Sequence, residues 1–399
     1  MYQPSQKMLE KYANVMVNFA VNHGKGVKKG DNVFLFTPIV AIPLAKEMYK
    51  ILLKKGAIPF INIFDDEFSL INYELSSDEQ LLYSPMALYK GMAATYDHSI
   101  CILGDEDPML LKNCDPKKIM LSNKASKPYS DMLEKKENAG KFSWTLCLYG
   151  TEGMAKEANL SLKEYWNQIA NSCFLNEKDP VAKWKWTLKE QKRIQNSLTR
   201  MKIDKIHVKS ETTDLWINMG EERKWNSGSG CNIPSFEIYT SPDWRGASGY
   251  VNFDLPLYRY GNIIEGIFLG FEDGRVVNSK AQKNEKLLKE MIAQDGMDKI
   301  GEFSLTDKRF SKISKFMAET LFDENFGGKY GNFHIALGDS YPDTYSGDIS
   351  TMNKAKKKKL GYNDSVDHTD MISTQNRVVT VVLKNGKSKV IYKNGEFTI

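Results

Sequence analysis

Histidine is scarce in this chain, five in 399 residues, so each imidazole can be weighed singly. His334 lies inside the apolar run Phe333-His334-Ile335-Ala336-Leu337, near the head of "GNFHIALGDSYPDTY". An imidazole in such a strand is either a core histidine satisfied by its neighbours or a ligand. His368 opens the triplet "HTD", and Asp370 follows two residues on. Alternate side chains of a strand share a face, so these two would look into one site. Imidazole with carboxylate is a donor pair for Zn, Mn, Co or Fe, although an HxD triplet alone arises often by chance. Glu237 in "NIPSFEIYTSPD" and Glu302 in "DKIGEFSL" are carboxylates set among Phe, Ile and Leu. Burying a carboxylate is costly unless it is paired or bound to a cation. The other reading of Glu237 is an edge strand that turns it to water. Taken together, two histidines, two glutamates and an aspartate make a two-metal donor set. Carboxylates in such sets join cations about 3.5–4 Å apart.

Two kinds of architecture must position these residues. In the first third, "SQKMLEKYANVMVNFAVNHG" has helical spacing and stops at Gly24, and "KKGDNVFLFTP" reads as a buried strand. "AIPLAKEMYKILLKKGA" is an amphipathic helix ending at Gly56, and "IPFINIF" is a second strand. "SICILGDED" is a third strand, and "FSWTLCLYGTEGMAKEA" carries a fourth and then a helix. Strand, helix and strand in that order imply right-handed crossovers and a mostly parallel sheet. Neither GxGxxG nor GxxxxGK[ST] follows any of these strands, so no dinucleotide or P-loop cradle is expected. At Asp179-Pro180 a turn precedes a Trp-rich helix, which marks a boundary. The expected organisation is an α/β domain over 1–187 and an α+β domain over 188–399. The second is rich in antiparallel strands joined at Asp-Gly and Asn-Gly turns, and it carries the metal site.

Composition excludes several classes. Charged residues are 26% and hydrophobic ones 41%, the profile of a soluble globular protein. A net charge of +5 is too dilute for a nucleic-acid partner. The one dense run, "KAKKKKLGY", reads as a solvated face, with a polyanion site as the alternative. Five cysteines without CxxC spacing suit free thiols in a reducing compartment. The longest apolar stretches contain prolines and are too short for a bilayer, and no secretory leader is seen. A cytoplasmic protein with no membrane or nucleic-acid partner is expected.

The ordered blocks "NIPSFEIYTSPD", "GEFSL", "ETLFDEN…HIALGDSYP" and "HTD" resemble the M29 metallo-aminopeptidases, the aminopeptidase T group. The intervals fit as well: 65 residues from Glu237 to Glu302, seven from His334 to Tyr341, two from His368 to Asp370. "KKGDNVFLF…AKEMYKILLKKGAIPFINIFDDE" is similar to that family's opening domain, and "ETTDLWINMGEERKW" to its central strand. The resemblance implies metal ligands Glu237, Glu302, His334, His368 and Asp370, with Tyr341 as the site tyrosine. It also implies two divalent ions (Zn, Co, Mn or Mg), short peptide substrates and a homodimer. Glu302 would join the ions, or one of the two glutamates would shuttle the proton. The chain departs from the family pattern at Ser235-Phe236 and at "NFGGKYGNFH", which bears on side-chain preference. A related branch is similar to Fe(II) ring-opening dioxygenases, which would need only His334, His368 and Asp370. A binding protein without turnover is the remaining alternative.

Overall fold

Four strands alternate with helices in the first part of the chain: β1 (Asn32–Pro38), β2 (Ile58–Phe64), β3 (His98–Leu103) and β4 (Ser143–Leu148). The computed structural model describes residues 2–228, 230–259, 261–365 and 367–399. The strands are all parallel and lie in the order β2-β1-β3-β4. Helix α1 (Gln6–Val15) begins where the Ser5 hydroxyl accepts from the Met8 amide at 3.3 Å. Helix α2 (Ile42–Lys54) tolerates Pro43 in its first turn, where no amide hydrogen bond is lost. It ends before Gly56, whose φ of +75° suits glycine.

The chain divides into two units: Met1–Lys185 with Ser229–Pro234, and Trp186–Gly228 with Ser235–Ile399. The short return in the first unit differs from the expected 188–399 domain. A strand of two residues, Asn232–Ile233, lies parallel to β4 and closes that edge of the sheet. The Leu146 amide donates to the Cys231 carbonyl at 2.8 Å. Two residues are too few to show a period, so the sequence carries no sign of this return.

Among its described residues the second unit holds two large antiparallel sheets and a two-stranded antiparallel ribbon, Leu257–Arg259 with Asn262–Ile264. One has eight strands and runs from Arg275–Lys280 at one edge to Glu396–Phe397 at the other. The other has five: β5 (Glu237–Thr240), β6 (Ile300–Thr306), β7 (Asn332–Gly338) and β8 (His368–Ser373), with Asn226–Ser227 beyond β5. Every residue of β6 and β7 is buried. Phe303 and Leu305 on β6 alternate with Glu302, Ser304 and Thr306; Phe333, Ile335 and Leu337 on β7 alternate with Asn332, His334 and Ala336. The apolar set forms the core, where the rings of Phe253 and Phe303 each stand 6.3 Å from that of Phe333. The polar set is left to the opposite face. The lysine run forms the helix Lys354–Leu360, pinned by buried Leu360 beside Tyr345 and Tyr362.

Candidate metal centre

Strand register gathers the site. In antiparallel pairs, residues directly opposite share a face. Glu302 lies opposite Ala336, and Ala336 opposite Asp370, in one row across β6, β7 and β8. His334 is two residues from Ala336, and His368 two from Asp370, so all four ligand candidates share that face. On the other side, Glu237 is opposite Thr306 and Tyr239 opposite Ser304, which puts both on the same face again. Ala336 and Ser304, small residues amid the larger ones, leave room for the surrounding side chains to converge. All five expected ligands therefore meet in one place.

The side chains stand further apart than good hydrogen-bonded partners do. His334 Nε2 stands 3.4 Å from Glu302 Oε1, 3.5 Å from Glu237 Oε2 and 3.8 Å from Asp370 Oδ1. His368 Nε2 is 3.4 Å from Glu302 Oε2 and 3.4 Å from Asp370 Oδ1. Hydrogen bonds between such atoms close to about 2.7–2.9 Å. Two ligands on a tetrahedral cation with bonds near 2.1 Å are about 3.4 Å apart. Both ring nitrogens of His334 are buried and, among the described residues, make no well-formed hydrogen bond, a costly state for a core imidazole and a suitable one for a metal ligand. The donors fall into two groups, Glu237, Glu302 and His334 in one, Glu302, His368 and Asp370 in the other, each with its ligand atoms within 4.8 Å of one another. Glu302 belongs to both and turns one oxygen to each histidine. This donor set fits divalent cations.

The electrostatics agree. Burial and then the charge of Glu302 push the Glu237 carboxyl up to about 8. Burial alone would depress the His334 imidazole, but Glu302, Asp370 and Glu237 outweigh it and lift it to about 9. Glu237 and His334 thus hold protons that a cation would displace. A further contact orients one ligand. The Asp339 carbonyl lies 2.8 Å from His368 Nδ1, so this nitrogen carries the proton and Nε2 is free to ligate. The carbonyl is placed by Gly338, whose φ of +113° and whose approach to Asp367 O (2.1 Å from any added Cβ) admit only glycine.

Tyr341 stands at the rim. Its ring centroid is 4.6 Å from that of His368, its amide donates to the Ser241 hydroxyl at 2.8 Å, and 42% of its surface is open. Packing and then Glu302, Asp370 and Glu324 hold its phenol well above the usual range. With that much of the ring in water, the carboxylates are the firmer cause.

Sequence reasoning missed Glu324. It is buried, and its carboxyl is raised by that burial and by Glu237, Asp370 and Glu302, which places it beside the cluster. Its neighbours have other work. Asp323 accepts the Met317 and Glu319 amides at 2.8 and 3.0 Å. Asn325 takes the Phe236 amide at 2.5 Å and donates to Glu324 Oε1 at 3.2 Å. Three polar residues in a row gave no means of telling the one that faces the site.

A buried set of carboxylates and imidazoles arranged as two cation-sized donor groups defines a metalloenzyme centre. The family model described as thermophilic metalloprotease (M29) matches residues 5–397, and the chain belongs to that family. Aminopeptidase AmpS of Bacillus subtilis (strain 168) is 29% identical to it, over 96% of this chain and 98% of AmpS. Aminopeptidase T of Thermus thermophilus is 27% identical over 99% of both chains. In structure, the fold matches wild-type AmpT from Thermus thermophilus with a TM-score of 0.84 at 24% identity, covering 99% of this chain and 100% of the other.

Proposed function

We propose that this protein is a metal-dependent aminopeptidase that releases N-terminal residues from short peptides with two divalent cations (Zn, Co, Mn or Mg). Glu237, Glu302 and His334 would hold one, and Glu302, His368 and Asp370 the other. The observation that carries this reading is Glu302, whose two oxygens each stand 3.4 Å from a different imidazole. Cations so held supply Lewis acidity at the scissile carbonyl and a readily ionised water.

The chain's own groups then divide the work. The carboxylates Glu237 and Glu302 are the groups within reach to carry a proton from water to the leaving amine. Tyr341, its phenol kept protonated, donates through its hydroxyl to the oxyanion that develops on the carbonyl oxygen. The apolar face of β6 and β7 keeps bulk water from the far side of the ligands and so preserves their geometry. A ring-opening oxygenase on His334, His368 and Asp370 alone would leave Glu237 and Glu302, both turned into the cluster, without a role.

A homodimer fits the first unit. Ile58, Ile61 and Ile63 of the edge strand β2 are 49%, 45% and 49% exposed, on a parallel sheet of the kind that is normally covered on both faces. Cys101, Cys114, Cys147 and Cys173 form no disulfide, which suits a reducing cytoplasm, and no helix among the described residues is long and apolar enough to cross a membrane.

The test is metal content together with release of free amino acids from di- and tripeptides. Hydrolysis abolished by a chelator and restored by Co²⁺ or Zn²⁺ is expected. Fe(II)-dependent oxygen uptake, or bound metal without hydrolysis, would overturn the reading.

A further inference from the structure

The loop that carries Tyr341 holds another carboxylate, which the reaction described above does not use. Asp343 sits in the single helical turn Pro342–Thr344. Its Oδ2 accepts the Tyr239 hydroxyl at 2.7 Å. Its Oδ1 is buried and, among the described residues, makes no well-formed hydrogen bond, although the Asn226 side chain acts on the same carboxyl. Among the described residues no lysine or arginine pairs with it; Lys224 acts on it only through its field. The turn is braced on both sides. Asn226 Nδ2 donates to the Asp343 carbonyl at 3.1 Å, and the Thr344 hydroxyl to the Tyr341 carbonyl at 2.8 Å.

The place of this carboxylate matters. Tyr239 is two residues beyond Glu237 on β5 and so projects from the ligand face. Its ring meets that of Tyr341 edge-on at 5.9 Å, and the Tyr341 ring is 4.6 Å from that of His368. Asp343 therefore stands one aromatic layer from the donor cluster, on the side where Tyr341 opens to solvent. A buried carboxylate oxygen with no donor is costly unless something arrives to meet it. An ammonium group is the partner that supplies both charge and hydrogen bonds.

We propose that Asp343, oriented by Tyr239, receives the free α-ammonium group of the peptide and thereby confines cleavage to the first residue. The α-amine is two bonds from the scissile carbonyl carbon, so a group held at the cluster by its carbonyl presents its ammonium within one side-chain layer. An acetylated or internal peptide bond offers no such charge. The inference rests on the aminopeptidase reading.

The experiment uses the metal-loaded full-length protein. It compares wild type with Asp343→Asn for hydrolysis of leucine p-nitroanilide, and for inhibition by leucinamide against 4-methylpentanamide, which lacks the amine. In Asp343→Asn, KM is expected to rise on the order of tenfold or more, with kcat changed far less. The preference for leucinamide over its desamino analogue should collapse, with bound metal unchanged. Tyr239→Phe keeps the carboxylate but loses the hydroxyl that orients it, and should move KM and the preference the same way by less. If Asp343→Asn does not fold, Tyr239→Phe carries the test, and an unaltered preference in it overturns the inference. A fall in kcat with KM and the amine preference intact would also overturn it, since Asp343 would then only brace Tyr341. Absence of any peptide hydrolysis by wild type would instead sink the parent reading; an active wild type whose amine preference survives both substitutions sinks this inference alone.

Discussion

The parallel sheet of the first unit and the site sheet of the second handle carboxylates in different ways. At the carboxyl ends of β2 and β3, Asp66 feels Asp105, Asp65 and Glu106, and partial burial followed by these neighbours pushes it up to about 6. On the site sheet, burial and then Glu302 push Glu237 up to about 8. Both are acidic clusters in a protein with strands alongside. Only the second has imidazoles in register with it, and among the described residues the groups able to hold a metal ion all lie there. Acidic residues collected at a sheet end repel one another and share water. Acidic residues facing histidines across paired strands, with apolar strand faces behind, need a cation.

Substitutions can break this comparison. The largest effect should come from Glu302→Gln. Activity is expected to fall by on the order of 10³-fold with the thermal transition of the metal-free protein little changed. Turnover near the wild-type rate would remove Glu302 from its central place. His368→Ala should follow, with less metal retained per chain after gel filtration; elemental analysis showing wild-type stoichiometry would contradict its assignment as a ligand.

Stability sharpens the contrast between the sheets. Phe303→Ala empties a fully buried position on β6 and should lower unfolding stability by about 3–5 kcal/mol. Ile63→Ser on the exposed strand β2 should change it by within about 0.5 kcal/mol in the monomer. Urea titration at low protein concentration measures both, and equal losses would mean that β2 is as enclosed as β6. Ile63→Lys additionally tests whether a second copy covers this strand, since it should shift the mass in solution towards a single chain.

The smallest effect concerns Asp66. Its carboxyl is raised in the folded state from the ordinary 3.8 to about 6. The folded protein therefore binds more protons at this group than the unfolded chain does. Its contribution to stability is fully present below the unfolded value and is lost as pH rises through the window from about 4 to 6. Asp66→Asn should flatten the fall of the urea midpoint across that window. An identical slope in the variant would assign the dependence to another group.

Much of this was open to inspection along the chain. The pairing of His368 with Asp370 rests on the two-residue period of a strand, and the structure puts both on the face that also carries His334 and Glu302. Glu237 and Glu302 stood out as carboxylates among apolar neighbours, and the family blocks ordered them. The parallel first sheet followed from alternating helix and strand periods. Other features had no local signal. Glu324 is flanked by Asp323 and Asn325, and nothing in "FDENF" distinguishes the residue that faces the cluster. Residues 229–234 rejoin the first unit through two strand residues only. Asp343 follows Pro342 in a short turn, and its contact with Tyr239, 104 residues away, has no trace in the local sequence.

The amino-acid sequence alone determined which side chains alternate on each strand and which were unsuited to an apolar core, because both are properties of neighbours along the chain. Tertiary structure decided that Ser304 faces His334, that Ala336 lies between Glu302 and Asp370, and that Asp343 comes to Tyr239. Those facts depend on strand register and loop closure. A register is chosen by the packing of a whole sheet, and a shift of one residue would send every ligand to the opposite face.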